Sequence, residues 1–199
     1  SGQLRQSSKN AAEGASMATL IKDGATSIAD TLTKMQSVMQ QADASLTPQD
    51  YQTEYNTLAS SLKAAIENTR YTGISLLDKS GWAGDERVSN TGTITLQVGG
   101  AQSTFSLRDL SALKDYTSLD LTNPANLGTA LGNISKDIGT VTTMSSGYEA
   151  IAGSYLSEAK HLEKQSEMLA LTALRAQHGV SAGQNPGDPE TTVKNILLE

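Results

Sequence analysis

Residues 123–179 read NPANLGTALGNISKDIGTVTTMSSGYEAIAGSYLSEAKHLEKQSEMLALTALRAQHG. Within this stretch lie Leu127, Leu131, Ile134, Ile138, Val141, Ser145, Tyr148, Ala152, Tyr155, Ala159, Leu162, Ser166, Leu169, Ala173 and Ala176. Every step between them is 4 or 3, in strict alternation. Thirteen of the fifteen are apolar or Tyr, and none is charged. Alternating 3-4 spacing keeps one face of a helix towards a partner, as in a coiled coil. Asn123-Pro124 supplies an N-cap and a first-turn proline, and Gly179 a stop. The stretch predicts a helix over about 124–178, about 75 Å long along its seam at 1.5 Å per residue.

A helix of that length needs a partner. The first segment supplies one. Leu4, Ser8, Ala11, Ala15, Ala18, Ile21, Ala25, Ile28, Leu32, Met35, Met39 and Ala42 form a second uncharged seam, with one 3-3 break at Ala15-Ala18-Ile21. It predicts a helix over about 4–44, about 57 Å long along its seam. Gly14 and Gly24 each weaken it by about 1 kcal/mol relative to Ala, so it depends on packing. Asp43 to Leu46 is a short joint. A second, antiparallel helix is then expected over about 48–70. Thr47 and Asp50 read as a capping box with Pro48 in the first turn. Its seam is Tyr51, Tyr55, Leu58, Leu62, Ala65 and Thr69, and Thr72-Gly73 breaks the pattern.

The middle changes character. Lys79 to Thr91 is rich in Gly, Ser, Asn and Asp without periodicity and reads as loop. Ile94 to Val98 then alternates strictly, Gly99-Gly100 follows, and Phe105 and Leu107 resume the phase. This is a hairpin signal over about 93–107. A two-residue turn pairs Val98 with Ala101, Leu96 with Ser103 and Ile94 with Phe105. Such a hairpin is marginal alone, so its apolar face is expected to lie on the helices. Residues 1–178 therefore read as one mainly α domain: an elongated antiparallel helical bundle, or coiled-coil-like rod, with a small β-hairpin. Residues 179–199 read as a flexible tail, with Gly183 to Pro189 linker-like and Val193 to Leu198 a short apolar end.

The chain's 199 residues suit one domain. Aromatics make up only 4%, which argues against a thick core. A net charge of −6 gives no electrostatic footprint for nucleic acid. No 18-residue apolar run spans a membrane. Cysteine is absent, which removes disulfides, thiolate nucleophiles and Cys-type zinc sites. No secretory signal is visible, and Ser1-Gly2 is read as outside the fold. His161 and His178 are the only imidazoles, about 25 Å apart on different faces of one helix, too far to share a metal or a proton. The Asp85-Glu86 pair sits in a polar loop and reads as solvated. Gly99-Gly100 is a turn, since no helix start follows it to hold a phosphate. The sequon Asn133-Ile134-Ser135 falls inside a helix and is discounted. No catalytic residue, metal ligand or cofactor is expected, and the chain reads as a non-enzyme.

Several segments also resemble bacterial flagellin, in the same order as in that family. Asn10 to Ala18 resembles the motif N-A-x-D/E-G-x-S-hydrophobic-A, and Asp23-Gly24-Ala25 the following E-G-A. Leu32 to Ala42 is similar to L-Q-R-x-R-E-L-x-V-Q-A. Tyr71 to Leu77 resembles F-N-G-x-x-L-L, Leu96 to Gly99 resembles F-Q-V-G, and Val141 to Met144 resembles the V-S/T-x-x-R of the long C-terminal helix. The likeness covers about residues 4–176. It implies the rod-like inner domain of flagellin (D1), without the variable outer domains and without the usual segment before the first helix.

The same resemblance implies a structural subunit of the bacterial flagellar filament. Such subunits pack side by side for motility and leave the cell through the flagellar export channel. Implied partners are other subunits, an export chaperone and hook-associated proteins, with the fragment itself monomeric. Two alternatives stand beside it: a hook–filament junction protein, and a non-flagellar helical binding module. Some flagellins are bound by a Toll-like receptor. By matched position the receptor-contacting Arg, Leu and Glu fall at Lys34, Val38 and Glu54, and only Glu54 is identical. Lys lacks the planar fork of Arg, and the next Arg and Glu fall at Gln36 and Ser37. Recognition is expected to be weak or absent. A cell reporter assay is expected to show little or no response, and a response as strong as that to a typical agonist flagellin overturns the expectation.

Overall fold

The computed structural model describes residues 1–179. Helix α1 spans Gly2–Asp43, α2 Gln52–Asn68 and α3 Pro124–Gln177. Between α2 and α3 lie two antiparallel hairpins. One pairs β1 (Arg70–Tyr71) with β2 (Ile74–Ser75), and the other pairs β3 (Thr93–Val98) with β4 (Ala101–Ser106). Short 3-10 turns occupy Pro48–Tyr51, Lys79–Gly81 and Ser111–Ser118. The fold is mainly helical, as the sequence predicts.

Helices α1 and α3 pack antiparallel along their seams. Polar rungs fix the register. Ser166 Oγ donates to Ser1 O at 3.2 Å, and Ser8 Oγ to Ala159 O at 2.9 Å. Further along, Thr26 Oγ1 and Ser145 Oγ lie 2.9 Å apart, and Gln36 Nε2 donates to Ser135 Oγ at 2.7 Å. From Ala11 to Ala42 every residue of the predicted α1 seam is buried, and Leu4 and Ser8 are half-buried. Gly14, Met17 and Val38 are buried as well: Gly14 lies against Tyr155 of α3, and α1 also packs against α2 and β3. The α3 seam is covered through Ser166. Beyond it Leu169, Ala173 and Ala176 are exposed, as is Met168.

Asn123 caps α3, its side chain accepting from the Asn126 amide at 3.1 Å. Thr47 does not cap α2. The chain enters through the 3-10 turn Pro48–Tyr51, the helix starts at Gln52, and the Thr47 amide turns back to Ser45 Oγ at 3.0 Å. The buried face of α2 is Tyr55, Ala59, Leu62 and Ile66. The expected Leu58 and Ala65 are only half-buried. Helix α2 lies against both α1 and the Ser111–Ser118 turn, and the second neighbour shifts the stripe.

The β3–β4 register is the one the alternation predicts: Val98 faces Ala101, Leu96 faces Ser103 and Ile94 faces Phe105. Gly99 and Gly100 both take positive φ, as the mirror-image two-residue turn requires. The β1–β2 hairpin was invisible in the sequence. Its turn is made by Thr72 at φ +46° and Gly73 at φ +83°, and β-branched Thr is a poor signal for such a conformation. Arg87 Nη1 steadies it by donating to Thr72 O at 3.1 Å. The loop over 79–91 does more than follow the surface. It buries Trp82 and Val88, and Trp82 Nε1 donates to Ser75 O at 2.7 Å.

The structure gives Gly14 a purpose. A Cβ there would meet Tyr155 Cδ1 at 2.8 Å, so its helix-weakening residue type is what permits α3 to approach. Gly14→Ala is expected to destabilise by about 1 kcal/mol net, because overpacking of 1–3 kcal/mol exceeds the propensity gain. A Cβ at Gly139 on α3 meets nothing within 4 Å, so Gly139→Ala is expected to stabilise by about 1 kcal/mol. Denaturant midpoints of the two variants decide the sign in each case.

Candidate interaction surface

A few titratable side chains tie separate elements together. Asp78 is buried, and its Oδ2 accepts from Lys114 Nζ at 2.8 Å. Its Oδ1 accepts from the Ser80 amide and hydroxyl at 3.0 and 2.7 Å. Lys114 also reaches Glu67 at 3.4 Å. The cluster ties α2, the segment after β2 and the Ser111–Ser118 turn together. Burial pushes the Asp78 carboxyl up, but the bonds from Lys114 and Ser80 outweigh it and hold it below the usual range. The Lys114 ammonium is raised, first by its bond to Asp78. Nearby, the Tyr116 hydroxyl donates to Asp137 Oδ2 at 2.6 Å, and Tyr55 donates to Tyr116 O at 2.8 Å. Burial, and then the Asp137 carboxylate, raise the Tyr116 hydroxyl.

Asp85 is not simply solvated. Arg87 grips it with two bonds, at 2.9 and 2.7 Å, and this pairing holds its carboxyl down to about 2. Glu86 is exposed, as expected. His161 and His178 are both exposed on α3, and His161 Nε2 lies 2.9 Å from Gln165 Nε2. Among the described residues no group of three or more His, Asp or Glu side chains is placed to hold a metal ion. No described helix is long and apolar enough to cross a membrane.

The remaining features are surfaces. The first is a groove of about 610 Å³ between β4 and α3, lined by Phe105, Tyr148, Ile151, Tyr155 and Glu158 among others. Phe105 sits between the two tyrosine rings, each centroid 6.1 Å away. The Tyr148 hydroxyl donates to Ser106 O, and the Tyr155 hydroxyl lies 2.8 Å from Ser103 Oγ. Both tyrosines therefore bridge helix to strand, and Ile151 between them stays 37% exposed. The second surface is the apolar continuation of the α3 seam past Ser166.

Of the three positions matched to receptor contacts, Lys34 lies exposed on α1 and Glu54 exposed at the start of α2. Val38 is buried at 3% exposure and faces the core, so its side chain offers nothing to a partner. Among the described residues Lys34 and Glu54 form no ion pair with each other. The groove escaped the sequence reading because Thr104 and Ile151 share no local pattern. Only the alternation of β4 and the Tyr148–Tyr155 spacing hint at it.

No known protein family matches the chain, and no curated protein matches it significantly.

The ion cluster predicts a pH dependence. Asp78, whose pKa is depressed on folding, contributes stability above about pH 4 that is lost as pH falls through its folded value. Lys114, whose pKa is raised, contributes stability that is complete below about pH 10 and lost above its folded value. Lys114→Met is expected to lower stability at pH 7 by about 2 kcal/mol by leaving Asp78 buried without its cation. It also flattens both pH limbs, which urea unfolding at pH 3, 7 and 11 reads directly.

Proposed function

We propose that the chain is a structural subunit of the bacterial flagellar filament, forming an elongated coiled-coil-like rod that packs side by side with its neighbours. The observation that carries the reading is the uncharged 3-4 seam joining α1 and α3, which runs on uncovered through Leu169, Ala173 and Ala176. An apolar stripe of this kind needs another apolar surface against it. The ordered resemblance of residues 4–176 to flagellin supports the same reading. So does the make-up of the described surface, whose side chains clamp and bridge elements of the fold.

In this reading the mechanism is mechanical. Paired long helices resist bending, and small and polar exposed residues of α3, such as Gly139, Ser146 and Gly153, allow neighbours close approach. Export through the flagellar channel places the protein outside the cell. Its partners are other subunits, an export chaperone and hook-associated proteins. The chain by itself is expected to be monomeric at moderate concentration, and light scattering is expected to report one copy.

Negative-stain electron microscopy of the full natural protein with sheared filament seeds tests the reading. Smooth growth from the seeds is the expected result. Labelling confined to the hook end without growth instead supports a junction protein. Neither growth nor flagellar labelling overturns both flagellar readings.

A further inference from the structure

We propose that the free edge of β4, with the groove beneath it, docks an extended segment of another polypeptide that carries alternating apolar residues and one basic residue. The register assigns the edge. A two-residue turn makes Val98 and Ala101 a hydrogen-bonded pair, and bonded and non-bonded pairs then alternate along the ladder. The Leu107 amide continues that ladder to Gly92 O at 2.7 Å. Gln102, Thr104 and Ser106 therefore aim their backbone groups away from β3.

The opposite edge of the sheet is already used. Asn10 Nδ2 donates to Gln97 O at 2.8 Å, and the Ser89 amide donates to Thr93 O at 2.9 Å. On the β4 side Tyr148 takes the Ser106 carbonyl. The outward amides and carbonyls of Gln102 and Thr104 have no partner among the described residues. Both residues are exposed. Proteins commonly blunt such edges with charge, proline or a bulge. The run Ala101–Ser106 has none of these, and its register is unbroken.

An added strand lies about 4.8 Å beyond β4 and turns alternate side chains to one face. Those facing α3 meet Ile151 between the two bridging tyrosines. Such strand addition draws affinity from the backbone bonds and specificity from the alternate pockets. The groove's one charged lining residue is Glu158, at the turn end, where its Oε1 lies 3.4 Å from a Cβ built on Gly99. A lysine or arginine at that end of the segment complements it. The proposal rests on the hairpin edge alone and does not depend on the flagellar reading.

The probe is a blocked hexapeptide, Thr-Val-Thr-Val-Thr-Lys, titrated to about 1 mM into the isotope-labelled chain. Its resonances are followed, together with amide exchange at Gln102 and Thr104. Slowed exchange at these two amides on saturation is the expected result, with no binding by a peptide N-methylated at alternate residues. Thr104→Pro removes the outward donor and spares the ladder, and is expected to weaken binding about tenfold. Ile151→Glu, on the helix surface, is expected to do the same without touching the strand. Glu158→Gln is expected to weaken binding about threefold. No resonance change, or binding indifferent to N-methylation, overturns the proposal. Protection of the same amides that grows with protein concentration alone also overturns it, by assigning the edge to a second copy.

Discussion

The uncharged seam between α1 and α3 is the constraint on which the rest of the structure depends. Its small residues, Ala11, Ala15, Ala18, Ala25 and Ala42 from α1, let two long helices lie close. Larger residues, Ile21, Ile28, Leu32, Met35 and Met39, are fully buried between them and supply the driving force, about 1.5–3 kcal/mol for each side chain. With so few aromatics, most of the core between the helices is built from aliphatic side chains and methionine. Register in such an interface is weakly set by apolar contact alone. The serine, threonine and glutamine rungs along its flank discriminate one alignment from another, because a slipped register leaves them unpaired.

The smaller elements are held by this pair. A two-stranded hairpin is marginal in water. Here Phe105 is gripped by Tyr148 and Tyr155, and both hydroxyls reach across to β4. Tyr155 has room for its ring because Gly14 carries no side chain. One glycine on α1 thus sets the depth at which α3 packs, and through Tyr155 the height at which the hairpin sits. At the other end, the Asp78–Lys114–Glu67 cluster fastens the Ser111–Ser118 turn to α2, and the Tyr116–Asp137 bond fastens the same turn to α3. The long connection between α2 and α3 is therefore tied at both ends to the helices it joins.

The periodic parts were legible from sequence because burial on one face writes itself into spacing. That holds for the seams of α1 and α3, the Asn123 cap and the β3–β4 register. What was missed has a different physical origin. The face of α2 shifted because a second neighbour, with no periodicity of its own, packs against its flank. The capping-box pattern at Thr47 met a 3-10 entry that a motif of residue types does not encode. The turn at Thr72 relies on Arg87, fifteen residues away, to steady a conformation that threonine seldom adopts. Val38, matched by resemblance to a contact position, is buried on α1, and no local pattern separates it from the exposed Lys34 one turn earlier. The expected tail over 180–199 lies outside the described residues.

The groove shows why surface function is harder to read than core. A core residue answers to its own helix, and the answer repeats every three or four positions. The edge of β4 becomes available only because three separate facts coincide: α1 covers the β3 edge, Tyr148 takes a single carbonyl, and no charge or proline blunts the remainder. None of these leaves a pattern within Ala101–Ser106 itself. The same logic applies to α3 beyond Ser166, where the seam keeps its spacing without a helix against it. Spacing of this kind is costly to keep on a solvated face, since each exposed leucine invites nonspecific contact. Both features follow from one cause: the pattern that builds a buried face does not tell where its cover stops, and only the packed neighbours decide which part of a seam or strand edge is left open.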